Sequence, residues 1–285
     1  MSRHTDRPTI LRVVRQVFLF GLAAALMFCS LGTRQATAQQ AVVRDPKALT
    51  LIASSLNALS GSVSVNDATL QATAAYVAGS DQESGTAILV ARLNQESIVQ
   101  LNLSGGTRQE IRNGTAGAWS GPDATVHSMA THNCWTDASW FFPALTLEAL
   151  ASNSQAVLAY LGADTSKGAT LIHVQATLLL PGQSPSVTAL IQTLSTMDIY
   201  FDPQSFLPLF LDFNTHPDTD ANTNLPVEIQ FANFQNSNGA MVPFHIQKFF
   251  QRTLLIDLTV SSVLVNSGVP DSAFILPAVA TGGAQ

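Results

Sequence analysis

From residue 207 to 264 apolar and polar side chains alternate with a period of two. Leu207, Leu209, Leu211 and Phe213 fall on one face, and Val227, Ile229 and Phe231 follow the same rule. So do Val242, Phe244, Ile246 and Phe250, and then Leu254, Ile256, Leu258, Val260 and Leu264. Each segment reads as an antiparallel strand with one buried face. Earlier segments, 70–77, 86–93, 97–103 and 107–112, have the same texture, with Gly79, Asn94-Gln95 and Gly105-Gly106 as turns. Asn113-Gly114 is a hairpin signal leading into 116–120 around Trp119, and 170–180 predicts a further strand. Short connections between neighbours make the pairings antiparallel.

Helical periodicity interrupts this pattern in a few places. Asp45 as N-cap and Pro46 at the first helical position precede Leu49, Ile52, Leu56 and Leu59, and Gly61 sits where a cap glycine ends a helix. Between 125 and 167, Leu145, Leu147, Leu150, Val157, Leu158 and Leu161 predict two short helices broken near Asn153. Ser184 and Pro185 open another, with Val187, Leu190, Ile191 and Leu194 on one face. About eight to ten strands with three or four helices predict an α+β fold, a curved antiparallel sheet wrapped on helices.

The start of the chain changes the picture from a fold to an exported fold. Arg3, Arg7, Arg12 and Arg15 precede an uncharged apolar run over 17–31, and Ala36-Thr37-Ala38 supplies a cleavage site. That order predicts a secretory signal peptide over 1–38 and a single mature domain over 39–285, with a short flexible tail from about 278. The apolar run is shorter than the ~20 residues a membrane span needs, so no transmembrane segment is expected after cleavage. Cys29 lacks the small preceding residue of a lipoprotein cleavage box, since Phe28 stands there, and it is expected to leave with the signal. A periplasmic or secreted location follows.

Five of the 13 Lys and Arg, but one of the 19 Asp and Glu, lie in 1–38. The mature part is therefore acidic by about ten charges, a surface that repels phosphate backbones and excludes nucleic acid as a partner. Only Cys134 remains after cleavage, so no internal disulfide forms and stability must come from core burial. With 46% apolar residues, a sizeable core is available.

Three motifs, taken together, resemble a known family. They are Phe201-Asp-Pro-x-x-x-Leu-Pro208, Gly239-Ala-Met-Val-Pro243 and the closing Val265-Asn-x-Gly-x-x-Asp-x-x-Phe-x-x-Pro277. Following a capped helix, a meander and an aromatic helical segment, they resemble the outer-membrane lipoprotein carrier (LolA/LolB-like) superfamily, which includes periplasmic sensors of the RseB kind. The resemblance spans most of the mature chain and is strongest over 198–277. It implies an open, unclosed β-barrel with helices against its concave side and an apolar cavity between them. It also implies binding without chemistry: a lipid, acylated peptide or lipoprotein as ligand or, in the alternative, an envelope protein partner recognised by a sensor using the same sheet.

Candidate site residues follow from the side chains themselves. Trp119, Trp135, Trp140, Phe141 and Phe142 are suited to lining or covering an apolar cavity, and equally to a core under a loop. His127, His132 and Cys134 lie close together, but their spacing matches no zinc pattern. Asp218, Asp220, Asn222 and Asn224 alternate like the start of a calcium loop, yet Thr223 and Ile229 replace its glycine and its bidentate glutamate. No nucleophile elbow, zinc-protease motif, phosphate loop, dinucleotide fingerprint or paired carboxylates are present. No catalytic residue, metal or cofactor is expected, and a non-catalytic binding protein is.

Overall fold

The computed structural model describes residues 41–279 apart from Asp137; the expected signal peptide over 1–38 and the end of the expected tail lie outside the described residues. Strands β1 (Asp67–Ala78), β2 (Asp81–Arg92), β3 (Glu96–Leu103), β4 (Gly106–Asn113), β5 (Ala116–Ser120) and β6 (Val126–Met129) form one meander. After helix α2 (Pro143–Ser152) come β7 (Ala156–Asp164), β8 (Leu171–Leu178), β9 (Met197–Phe201), β10 (Pro208–Thr215), β11 (Leu225–Ser237), β12 (Ala240–Phe250) and β13 (Thr253–Val265). All thirteen described strands belong to one sheet, ordered β6-β5-β4-β3-β2-β1-β13-β12-β11-β10-β9-β8-β7. Every pairing is antiparallel. The two meanders join where β1 meets β13, and β6 and β7 remain unpaired with each other. The sheet is open and curved, with helices on the concave side: the α+β fold expected.

Helix α1 (Pro46–Ser60) forms for the reasons its sequence advertises. The Asp45 carboxylate accepts from Lys47 N at 2.7 Å, and Gly61 turns the chain out at φ +57°. Ala48, Leu51, Ile52, Ser55 and Leu59 form its buried stripe. Inside the sheet this stripe and α2 meet Leu70, Leu89, Leu158, Ile199, Ile229 and Leu258, all at most 2% exposed. The outer face is polar: His173 pairs with Asp198 at 2.7 Å and His245 with Asp257 at 2.9 Å across neighbouring strands.

Three details differ from the periodicity. Val157, Leu158 and Leu161 belong to strand β7, because α2 ends at Asn153, whose side chain accepts from Gln155 N at 2.9 Å. Beyond it Ala156 and Leu158 point inward with period two, and β7 pairs with β8. Helix α3 (Pro185–Leu194) buries Thr188, Ile191 and Leu194 but exposes Val187 and Leu190. The strand count rises because β6, β7 and β9 are short or helix-like in composition.

The motifs behind the family resemblance are structural fastenings. Asp202 Oδ1 accepts from Gln204 N and Ser205 N at 2.7 and 2.8 Å, which holds its carboxyl below the usual range. The Asp67 carboxylate accepts from Ser267 N, Ser267 Oγ and Gly268 N, at 2.8, 2.9 and 3.0 Å. Asn266, in the left-handed region at φ +56°, accepts from Asn66 N and donates to Ser64 O. These bonds tie the closing segment to the start of β1.

Candidate ligand cavity

Curvature sets β4 opposite β12, although β3, β2, β1 and β13 lie between them in the sheet. Two adjoining hollows occupy that concave end, of about 410 and 350 Å³. They share Glu110, Trp119, Lys248 and Leu255 as walls. The larger is lined by Val99, Leu101, Trp140, Ile256 and the Tyr76 ring; the smaller by Met129, Phe213, Val227 and Phe250. Past Tyr76 and Leu255 a third hollow of about 550 Å³ opens at the rim, between the end of β1 and the β12–β13 turn. Volumes of this size suit small-molecule and acyl ligands (~300–1,000 Å³).

The aromatic residues singled out from sequence separate into distinct environments. Trp119, on β5, lies in both walls, is 41% exposed, and stacks on His127 with ring centroids 4.3 Å apart. Trp140 lines the larger hollow with only 1% of its surface exposed. Phe141 and Phe142 are members of the hydrophobic core, at 0% and 1%. Trp135 follows the 3-10 turn Thr131–Cys134 and is half-buried. Three consecutive aromatics cannot all face one hollow, because the chain turns through successive directions between Trp140 and the start of α2.

The cavity also holds charges that sequence reading did not single out. Arg108, Glu110 and Arg112 alternate with the outward residues of β4 and so share its inner face, as Lys248 shares that of Ile246 and Phe250 on β12. On β12 a lysine interrupting an otherwise apolar strand face was the available signal; β4 gave none, because Gly106, Arg108, Glu110 and Arg112 share one parity. Arg108 pairs with Glu83 at 2.7 Å and stacks over the Tyr76 ring at 4.5 Å. Arg112 Nε donates to Glu110 Oε1 at 2.7 Å, and its Nη1 to Thr136 O at 3.4 Å. The Lys248 ammonium stands 4.6 Å over the Trp140 ring. Burial pushes the Lys248 pKa down; Glu110 opposes that push and Arg112 adds to it. Burial works to raise the Glu110 carboxyl, but Arg112 and Lys248 outweigh it and hold it below its ordinary value.

One end of the cavity is stapled by Asn133. Its Nδ2 donates to His216 O at 2.8 Å, and its Oδ1 accepts from His216 N and Thr215 Oγ1 at 2.9 and 3.0 Å. Asp218 accepts from Ala130 N at 3.1 Å, so this carboxylate of the calcium-like loop fastens the cavity lip. Asp220 accepts from Asn222 N at 3.0 Å and Thr223 Oγ1 at 2.6 Å, a local turn. His127, His132 and Cys134 have separate surroundings: a Trp119 stack, an edge-on contact with His216, and a thiol buried near Ala130 O. Burial raises the Cys134 pKa and so disfavours its thiolate. Among the described residues no group of three or more His, Cys, Asp or Glu is placed to hold a metal ion. No helix among them is long and apolar enough to cross a membrane.

An open antiparallel sheet curved around helices, with a cavity at its uncovered end, is the LolA-like fold. The chain superimposes on a LolA superfamily protein from Nitrosomonas europaea with a TM-score of 0.50 at 12% identity, covering 80% of this chain and 97% of that one. A DUF1329 family protein from Desulfovibrio piger matches with the same TM-score at 10% identity, over 83% of this chain and 98% of that one. No protein-family model matches the sequence, and no curated protein does.

Proposed function

We propose that the mature chain is an exported, non-catalytic binding protein that holds a lipid or acylated ligand in the cavity between β4–β5 and β12–β13. The observation that carries this reading is the cavity itself: its walls are mostly apolar and aromatic, and it opens at the rim. Each methylene transferred into such a site contributes ~0.8 kcal/mol. A long acyl chain therefore gains enough to offset its ordering cost without any reacting group. The likeness of fold to a LolA superfamily protein supports the same reading, and the leader-like start of the chain fits an exported binding protein.

Titration of the mature protein with palmitate and with a synthetic diacyl lipopeptide, followed by tryptophan emission, tests it. Saturable blue-shifted emission is expected, because ligand replaces water around Trp119. Trp119→Ala should weaken uptake several-fold and leave the unfolding midpoint nearly unchanged. Phe142→Ala should do the reverse, costing about 3–5 kcal/mol of stability as a buried aromatic truncation. Absence of any saturable response to either probe would remove the lipid reading in favour of a protein-interaction module.

A further inference from the structure

We propose that Lys248 is the anchoring residue for a monoanionic head group, a carboxylate or phosphodiester, carried by an amphipathic ligand whose acyl chain fills the cavity. The inference rests on the binding role proposed above and adds the chemical class of the ligand's polar end.

Charges around the cavity divide into pairs and a remainder. Arg108 is committed to Glu83 at 2.7 Å, and Glu110 to Arg112 at 2.7 Å. Asp218, at the lip of the smaller hollow, keeps its charge and is held in place by the neutral Ala130 N. Lys248 makes no direct hydrogen bond or ion pair among the described residues; its ammonium meets the face of Trp140 at 4.6 Å and feels the Glu110 carboxylate, which Arg112 already holds. The indole Nε1 of that tryptophan is itself buried without a hydrogen-bond partner. An ammonium carries three donors, and leaving them unmet in an apolar wall is costly. A cation–π contact offsets part of that cost. The remainder is available to a ligand that brings one negative charge.

Position makes the occupant specific. Lys248 lies in the wall common to both hollows, so a head group there lets a chain run along either apolar lobe. Glu110 stands between two cations, Arg112 and Lys248, so its neighbourhood carries one positive charge in excess, which matches a monoanion; a phosphate monoester would bring nearly two charges against it. The acidic exterior does not oppose this, because screening weakens surface charges beyond about 8–10 Å while a desolvated contact keeps its strength.

The test compares three probes of matched chain: palmitate, 1-palmitoyl-lysophosphatidylglycerol and hexadecanol. Affinities are measured by displacement of a fluorescent fatty acid from the mature protein, Lys248→Met and Lys248→Arg. Palmitate should bind the native protein roughly 10- to 100-fold tighter than hexadecanol, the range for one charge-assisted hydrogen-bonded contact. In Lys248→Met that ratio should fall to near one, and Lys248→Arg should restore most of it. Met matches the Lys stem and removes a buried charge, so the variant should fold; its melting curve checks this. If the lysophospholipid shows the same Lys248-dependent preference, the site reads a phosphodiester as well as a carboxylate; preference for palmitate alone narrows it to carboxylates. An unchanged palmitate-to-hexadecanol ratio in Lys248→Met would overturn the anchoring role and leave the acyl cavity standing. Failure of all three probes to bind the native protein would overturn the cavity reading and this one with it.

Discussion

Among single side chains, His216 carries a consequence that its environment dictates. The ring is buried, its Nδ1–H donates to Thr223 O at 3.1 Å, and its Nε2 has no partner. Burial pushes its pKa below the ordinary value; the Thr223 carbonyl and Asp220 oppose that push, and the nearby His132 adds to it. The unfolded chain, with a histidine pKa near 6.5, binds a proton more readily than the folded one, so folding stability falls as pH drops through that value. The unfolding midpoint in urea should therefore decline between about pH 7.5 and pH 5, and less so in His216→Asn. An equal decline in both proteins would assign the effect elsewhere. Lys248 shows why sequence missed part of the site. Lysine on a strand normally marks the solvent face, and only its parity with Ile246 and Phe250 reveals that it points inward. Trp119 and Trp140 were legible as candidates from their chemistry, but their separation from Phe141 and Phe142 depends on chain direction at a turn.

At the scale of elements, the exposed edge of β7 is managed by the segment before α1. Asp45 N donates to Leu158 O at 2.9 Å and Leu158 N to Val43 O at 3.0 Å, a short parallel bridge that covers the edge. The Arg44 guanidinium then donates to Leu150 O and Ala151 O at 2.8 and 2.9 Å, meeting the free carbonyls at the end of α2. One side chain thus joins helix end and sheet edge. Arg44→Ala should lower stability by about 1–2 kcal/mol in urea and speed hydrogen exchange at the Leu158 amide. Unchanged exchange there would show that the bridge holds without the guanidinium. Most strands were legible because a half-buried strand imposes a period of two that few other structures share. Strand β7 was not, since Val157, Leu158 and Leu161 satisfy helical spacing equally well; the β8 partner settles the matter.

On the scale of the whole molecule, the cavity exists because two meanders meet at β1 and β13 and curve without closing. Helices α1 and α2 fill the concave side behind Ile229 and Leu258, and the end between β4 and β12 stays hollow. Asn133 and Asp218 tie the turn after β6 to the β10–β11 loop and hold that end in shape. Alternation along each strand predicts which residues turn inward. It carries no information about which strands face each other across the curve, and so Glu110 and Lys248 could not be associated from sequence. The family resemblance came from turn motifs, whose Asp202, Asn266 and Gly268 are legible because tight turns restrict residue choice.

Native mass spectrometry of the protein, purified under mild conditions from its own cells, tests ligand binding most directly. A co-purifying mass that extracts as a lipid or acylated peptide is expected, and it should be lost when Trp119 and Lys248 are replaced together. A clean ligand-free mass, with no shift on adding palmitate or lipopeptide, would contradict it.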